Sequence, residues 1–125
     1  MEKFKLRDFA KWAKKEGLSD LVLLEALNEM SRGLLGDRIG ADIFKKRIGI
    51  PGKGKRGGVR SIVIFRHNEL ALFMYGYAKN EKGDLEPREE AAIRIFAKEF
   101  LKLSRAQRAQ KQKDGVLILL DEVIR

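Results

Sequence analysis

Apolar residues fall into four kinds of pattern along this chain, and each predicts an element. Lys3 to Leu6 is short and alternating, which suits a first strand. In Arg7–Glu16, Phe9, Trp12 and Ala13 recur at helical spacing with lysines opposite, and Gly17 ends the helix. Trp12 reads most simply as a core anchor of that helix. Ser19 is a plausible N-cap for a second helix whose stripe is Leu23, Leu24, Leu27, Met30 and Leu34. Gly33, Gly36 and Gly40 then break the pattern. With one short turn between them, the two helices should form an antiparallel hairpin.

The middle of the chain changes period. Ile43 to Ile50 alternates, with Phe44, Lys46, Ile48 and Ile50 on one face and Ile43, Lys45 and Arg47 on the other. Pro51 and the glycine-rich run Gly52–Gly58 end it. Val59 to Arg66 is apolar on both faces, as a central strand should be. Arg60 and Arg66 share its parity. His67-Asn68 makes a turn, and Leu70–Ala78 returns with Phe73, Tyr75 and Tyr77 expected on one face. Pro87, followed by Glu89 and Glu90, opens a third helix with the stripe Ala92, Ile93, Phe96, Phe100 and Leu103. Ser104 caps a shorter helix ending near Gly115. Val116–Leu120 is either a last sheet strand or a face for a partner. The sum is one α+β domain spanning residues 1–125. An antiparallel sheet of about four or five strands is covered by the helical hairpin and the later helix.

Charge alters the picture in one place. The net charge is +9, and no acidic residue lies between Asp42 and Glu69. That window holds Lys45, Lys46, Arg47, Lys53, Lys55, Arg56, Arg60 and Arg66. Uncompensated positive charge around a glycine-rich loop points to a polyanion, although a lysine-rich turn kept soluble by its charge has the same composition. Gly52, Gly54 and Gly57 have dinucleotide-fingerprint spacing, but a β-branched strand follows where that motif needs a helix. No Gly-Lys-Ser/Thr closes a phosphate loop.

The inventory narrows the chemistry further. There are no cysteines and one histidine, His67, which reads as a solvated turn residue. Neither a thiolate nor a histidine-rich metal site is expected, and no motif calls for a cofactor. No apolar run approaches a membrane span and the first residues do not resemble a signal peptide, so the expected address is the cytoplasm. Lysines and arginines can hold a phosphodiester and stabilise the charge added in its transition state. Tyr75 and Tyr77 serve either core packing or a stacking or acid/base role beside that charge. RNA brings its own nucleophile, the 2′-hydroxyl, so metal-independent RNA cleavage is the enzymatic function this composition favours.

Two motifs then carry a resemblance. Gly52-Lys-Gly-Lys-Arg-Gly-Gly-Val-Arg60 before an apolar strand, and Tyr75-Gly-Tyr-Ala-Lys-Asn-Glu81 after it, resemble the RelE/HigB toxins of bacterial type II toxin–antitoxin systems. The opening Phe9–Gly17 and the ending from Leu103 through Gly115 to Val123 look like one branch of that family. The resemblance implies a sheet with the active site on one face and helices on the other. It implies a ribosome-dependent mRNA endoribonuclease that leaves a 2′,3′-cyclic phosphate. The implied partners are the ribosome, its mRNA and a cognate antitoxin, often a helix-turn-helix protein. By position, Arg60 is the expected transition-state residue, with Lys55, Glu81 and Tyr75 completing the catalytic set. Glu81 is either a general base or the salt-bridge partner that orients Arg60. Lys45, Arg47, Lys53, Arg56, Arg66 and Lys79 are expected to bind RNA or ribosome. Some relatives use a C-terminal tyrosine or histidine for proton transfer, and this chain has neither after Tyr77. A non-catalytic homologue that binds a protein target such as gyrase, or only its antitoxin, is therefore the alternative.

Overall fold

A computed structural model describes residues 1–50, Gly52 and residues 54–120, and for residues 54–57 the backbone alone. The elements run β1 (Glu2–Leu6), α1 (Arg7–Lys15), α2 (Asp20–Ser31), β2 (Asp37–Gly40) and β3 (Ile43–Ile50). They continue with β4 (Gly54–Arg66), β5 (Leu70–Ala78), α3 (Pro87–Leu101), α4 (Arg105–Lys113) and β6 (Leu117–Leu119). The strands form one sheet in the order β2-β3-β4-β5-β1-β6. The expected α+β architecture holds, with more strands than expected. All pairings are antiparallel except β1 with β5, which is parallel.

The additional strand is β2, hidden in the sequence because glycines flank its few residues. The stretch Val116–Leu120 resolves as an edge strand, β6, paired with β1. Ser19 caps α2 by accepting from the Val22 N–H at 3.3 Å. Ser104 and Gln107 close a reciprocal capping box on α4.

Helices cover both faces of the sheet, not one. On the first face Phe9, Ala13, Leu23, Leu27 and Met30 from α1 and α2 pack on Phe44, Ile48, Val63 and Phe73. On the second, Ile93, Ala97 and Phe100 of α3 pack on Ile43, Ile62, Ile64 and Leu72. The buried stripe of α3 is thus narrower than the sequence suggests. Ala92 is exposed, and Phe96 (37 % exposed) stacks on Phe100 with centroids 6.3 Å apart. Leu34 is also exposed, because α2 has already ended at Ser31.

One bulge decides which side chains reach the site. Between Ile62 and Val63 of β4 the register with β5 shifts: Ile62 faces Tyr75, while Val63 faces Phe73. Met74 is the extra residue, and an extra residue inverts the alternation. Phe73 therefore joins the α1/α2 core, whereas Tyr75 and Tyr77 lie on the α3 face. The expectation that all three share a face fails for this reason. Gly76 then turns toward Trp12, and a Cβ there would strike the indole ring. Gly76→Val is expected to destabilise the fold by roughly 1–3 kcal/mol through overpacking, read as a lower midpoint in urea unfolding.

Candidate active site

The glycine run is less of a loop than its sequence suggests. Ile50 pairs with Gly54, and β4 runs on from there through Gly57 and Gly58 to Arg66. Gly58 is required where the strands crowd, since a Cβ would collide with the Ile48 carbonyl oxygen. Lys55 and Arg56 therefore sit on strand backbone rather than in a turn. Their side chains, and Lys53 altogether, lie outside the described residues.

Three strands build a transverse row on the α3 face. Arg47 of β3 stands opposite Arg60 of β4, and Arg60 stands opposite Tyr77 of β5. The next row is Lys45, Ile62 and Tyr75. Directly opposed like charges disfavour a strand pair unless something negative lies between them. Among the described residues, Arg47, Arg60 and Lys79 form no ion pair and no side-chain hydrogen bond. These cations surround a cleft of about 360 Å³ lined by Gly36, Asp37, Lys45, Arg47, Arg60, Tyr77, Lys79, Gly83 and Asp84.

Asp84 is the polar hub of the cleft. Its Oδ1 accepts from Lys45 Nζ at 3.0 Å, from the Tyr77 hydroxyl at 3.3 Å and from the Leu85 N–H at 2.8 Å. The Lys45 hydrogen bond, then the Leu85 amide, hold its carboxyl below the usual range. Tyr77 is pushed up to about 12, first by burial and then by the Asp84 charge. At neutral pH Asp84 is a carboxylate and Tyr77 a phenol. A spectrophotometric titration should show a phenol ionising near pH 12. In Asp84→Asn that ionisation should fall only part of the way to the ordinary value, because the burial that raises it most remains.

The expected site residues thus divide. Arg60, Lys45, Arg47 and Lys79 come together in the cleft. Tyr75 is adjacent but outside it, 37 % exposed, with its ring centroid 6.1 Å from that of Tyr77. Glu81 lies in the exposed turn after β5 and does not line the cleft. Arg66 shares the face but lies at the far end of β4, paired with Asp42 at 2.9 Å. The acids that line the cleft are Asp84 and Asp37, and sequence reasoning missed both. Asp84 reads there as one more polar residue in a loop. The available signal was its place beside Gly83, just before the helix start at Pro87.

Lys46 shows the opposite fate of a cation in this window. Parity turns it to the α1/α2 face, where Nζ meets Glu29 Oε1 at 2.7 Å and the Leu34 carbonyl at 3.0 Å. It is 5 % exposed and ties β3 to α2 and the chain beyond it, so it has no access to the cleft.

The family model for the RelE toxin of the RelE/RelB toxin–antitoxin system matches residues 1–120. The chain belongs to this family. No curated protein sequence matches it. Membership in the RelE family makes the chain a toxin-type component of a toxin–antitoxin pair, with an antitoxin as its counterpart. Among the described residues, no helix of this RelE-family chain is long and apolar enough to cross a membrane.

Proposed function

We propose that this protein is a ribosome-dependent mRNA endoribonuclease that cleaves by attack of the 2′-hydroxyl on the adjacent phosphodiester. The observation that carries the reading is the Arg47–Arg60–Tyr77 row, with Lys45 and Lys79 beside it in one open cleft. A phosphodiester seated there meets the two facing guanidiniums, whose fork geometry suits its oxygens. The bond from the 2′-oxygen to phosphorus forms as the 2′-hydroxyl gives its proton to water, and the bond to the 5′-oxygen breaks as that oxygen takes a proton from water. The products are a 2′,3′-cyclic phosphate and a 5′-hydroxyl. Charge on the non-bridging oxygens rises in the transition state, and fixed cations stabilise that added charge more than the ground state.

Arg60 is central in the row and on the central strand, which makes it the principal stabilising residue. Neither Asp84 nor Tyr77 titrates near neutrality, so neither is poised as a general acid or base. The rate therefore rests on electrostatics and on holding the 2′-oxygen in line. Family membership and the Gly52–Arg60 and Tyr75–Glu81 motifs support the ribosome-dependent form of the reaction, in the cytoplasm, under control of an antitoxin. Lys55 and Arg56, near the start of β4, together with Lys53, are the proposed contacts to RNA beyond the cleft.

The test is a reconstituted translation reaction with purified protein, mapping 5′ ends of the message by primer extension with and without ribosomes. Cuts confined to translated message are the expected result. Cuts on naked RNA would make the protein a free ribonuclease. An uncut message with folded protein would turn the reading toward a toxin homologue that binds a protein target or only its antitoxin.

A further inference from the structure

The cleft contains groups that phosphate binding does not require. Lysine and arginine are donors only, so they cannot receive the hydrogen of a sugar hydroxyl. Yet the register partner of Arg60 is a tyrosine, buried to 5 % exposure, whose hydroxyl donates to Asp84. A phenol has one hydrogen. Once it is committed to Asp84, Oη can only accept.

Resting on the ribonuclease reading, we propose that Tyr77 and Asp84 form a ribose reader. Asp84 fixes the Tyr77 hydroxyl hydrogen and the Lys45 ammonium, and Tyr77 Oη accepts from the 2′-hydroxyl of the nucleotide whose phosphate sits on Arg60. Asp84 acts as a positioning residue, and Tyr77 is the specificity-determining one.

The geometry around Asp84 favours a fixed rather than an incidental contact. Three donors converge on its Oδ1 from β3, β5 and its own loop. The loop is tied at its far end too, because Glu89 Oε1 accepts from Lys82 Nζ at 2.6 Å and from the Glu86 N–H at 2.9 Å. Neighbouring strands stand about 5 Å apart, the reach between a phosphate on Arg60 and a sugar beside Tyr77. The phenol keeps its hydrogen at any working pH, since its ionisation lies near pH 12. A deoxyribose offers no donor at this position, and the 2′-hydroxyl is the group by which a protein tells RNA from DNA.

The test is calorimetric titration of the full chain with adenosine 3′-monophosphate and with its 2′-deoxy counterpart. The wild type should prefer the ribose form about five-fold, the equivalent of one ordinary hydrogen bond. In Tyr77→Phe, which keeps the ring and its packing, the ratio should fall to about 1. Asp84→Ala should lower the ratio as well, and Asp84→Glu should restore part of it. A wild-type ratio near 1, no binding of either nucleotide by the wild type, or an unchanged ratio in Tyr77→Phe would each overturn the proposal. The translation assay separates the two readings. A lost ratio with message still cut removes the reader alone. A ratio kept without any cleavage removes the ribonuclease and leaves a ribonucleotide-binding cleft.

Discussion

Arg60→Ala is expected to lower message cleavage by about 100- to 1,000-fold, the usual cost of removing one aimed donor from a transition state. Three features of its place in the fold lead to that number. It is central in the row Arg47–Arg60–Tyr77, on the strand with neighbours on both sides. Among the described residues it is committed to no acid, so its guanidinium is available to a ligand. The strand beneath it does not depend on it, because Val59, Ser61 and Ile62 on either side are fully buried and hold β4 in the core. Loss of activity should therefore come without loss of fold. Primer extension on translated message measures the first, and the urea midpoint measures the second. An Arg60→Ala protein that still cuts at the wild-type rate would remove Arg60 from the mechanism. Arg66→Ala is the matched control, because Arg66 is spent on Asp42 at 2.9 Å and lies away from the cleft.

Phe73→Ala should have the largest effect on stability, about 3–5 kcal/mol. Its side chain is fully buried and stacks on Phe9 with centroids 5.4 Å apart. Removing it opens a void between α1 and the sheet that rigid strands cannot fill. A domain of this size has roughly 5–15 kcal/mol in total, so the loss is a large fraction of it. A fall of about 10–20 °C in the unfolding midpoint by calorimetry is the corresponding observable. Phe73 also adjoins the bulge at Met74, so a cavity there loosens the point that sends Tyr77 to the cleft. Phe73→Leu, which refills much of the volume, should recover most of the stability. Equal losses from both substitutions would mean that burial at this position is not what stabilises the fold.

Much of this architecture was legible because local rules and tertiary structure agree. The stop at Gly17, the cap at Ser19, the proline at the start of α3 and the turn at His67-Asn68 all act over three or four residues. Strand parity placed Lys45 and Arg47 together on β3 and Arg60 and Arg66 together on β4, and the pairing register brings the two sets to one face. The acid-free window identified the cationic strands, and the two motifs around it identified the family. The short strand β2 escaped because it takes its structure from β3, against which it pairs, and not from its own residues.

What the chain could not reveal alone is where its alternation is interrupted and what folds back across it. The Met74 bulge arises from the pairing of β4 with β5, a relation between distant segments that leaves no local mark in Leu70–Ala78. It sends Tyr77 into the cleft and Phe73 into the core. Asp84 likewise becomes a site residue only when its loop returns over Lys45, 39 positions earlier. Composition and periodicity therefore determined the element types and the cationic strands, and the two motifs carried the resemblance to the family. Pairing register and loop return decided which tyrosine and which acid line the cleft with Arg60, because those are set by contacts between segments far apart in the chain.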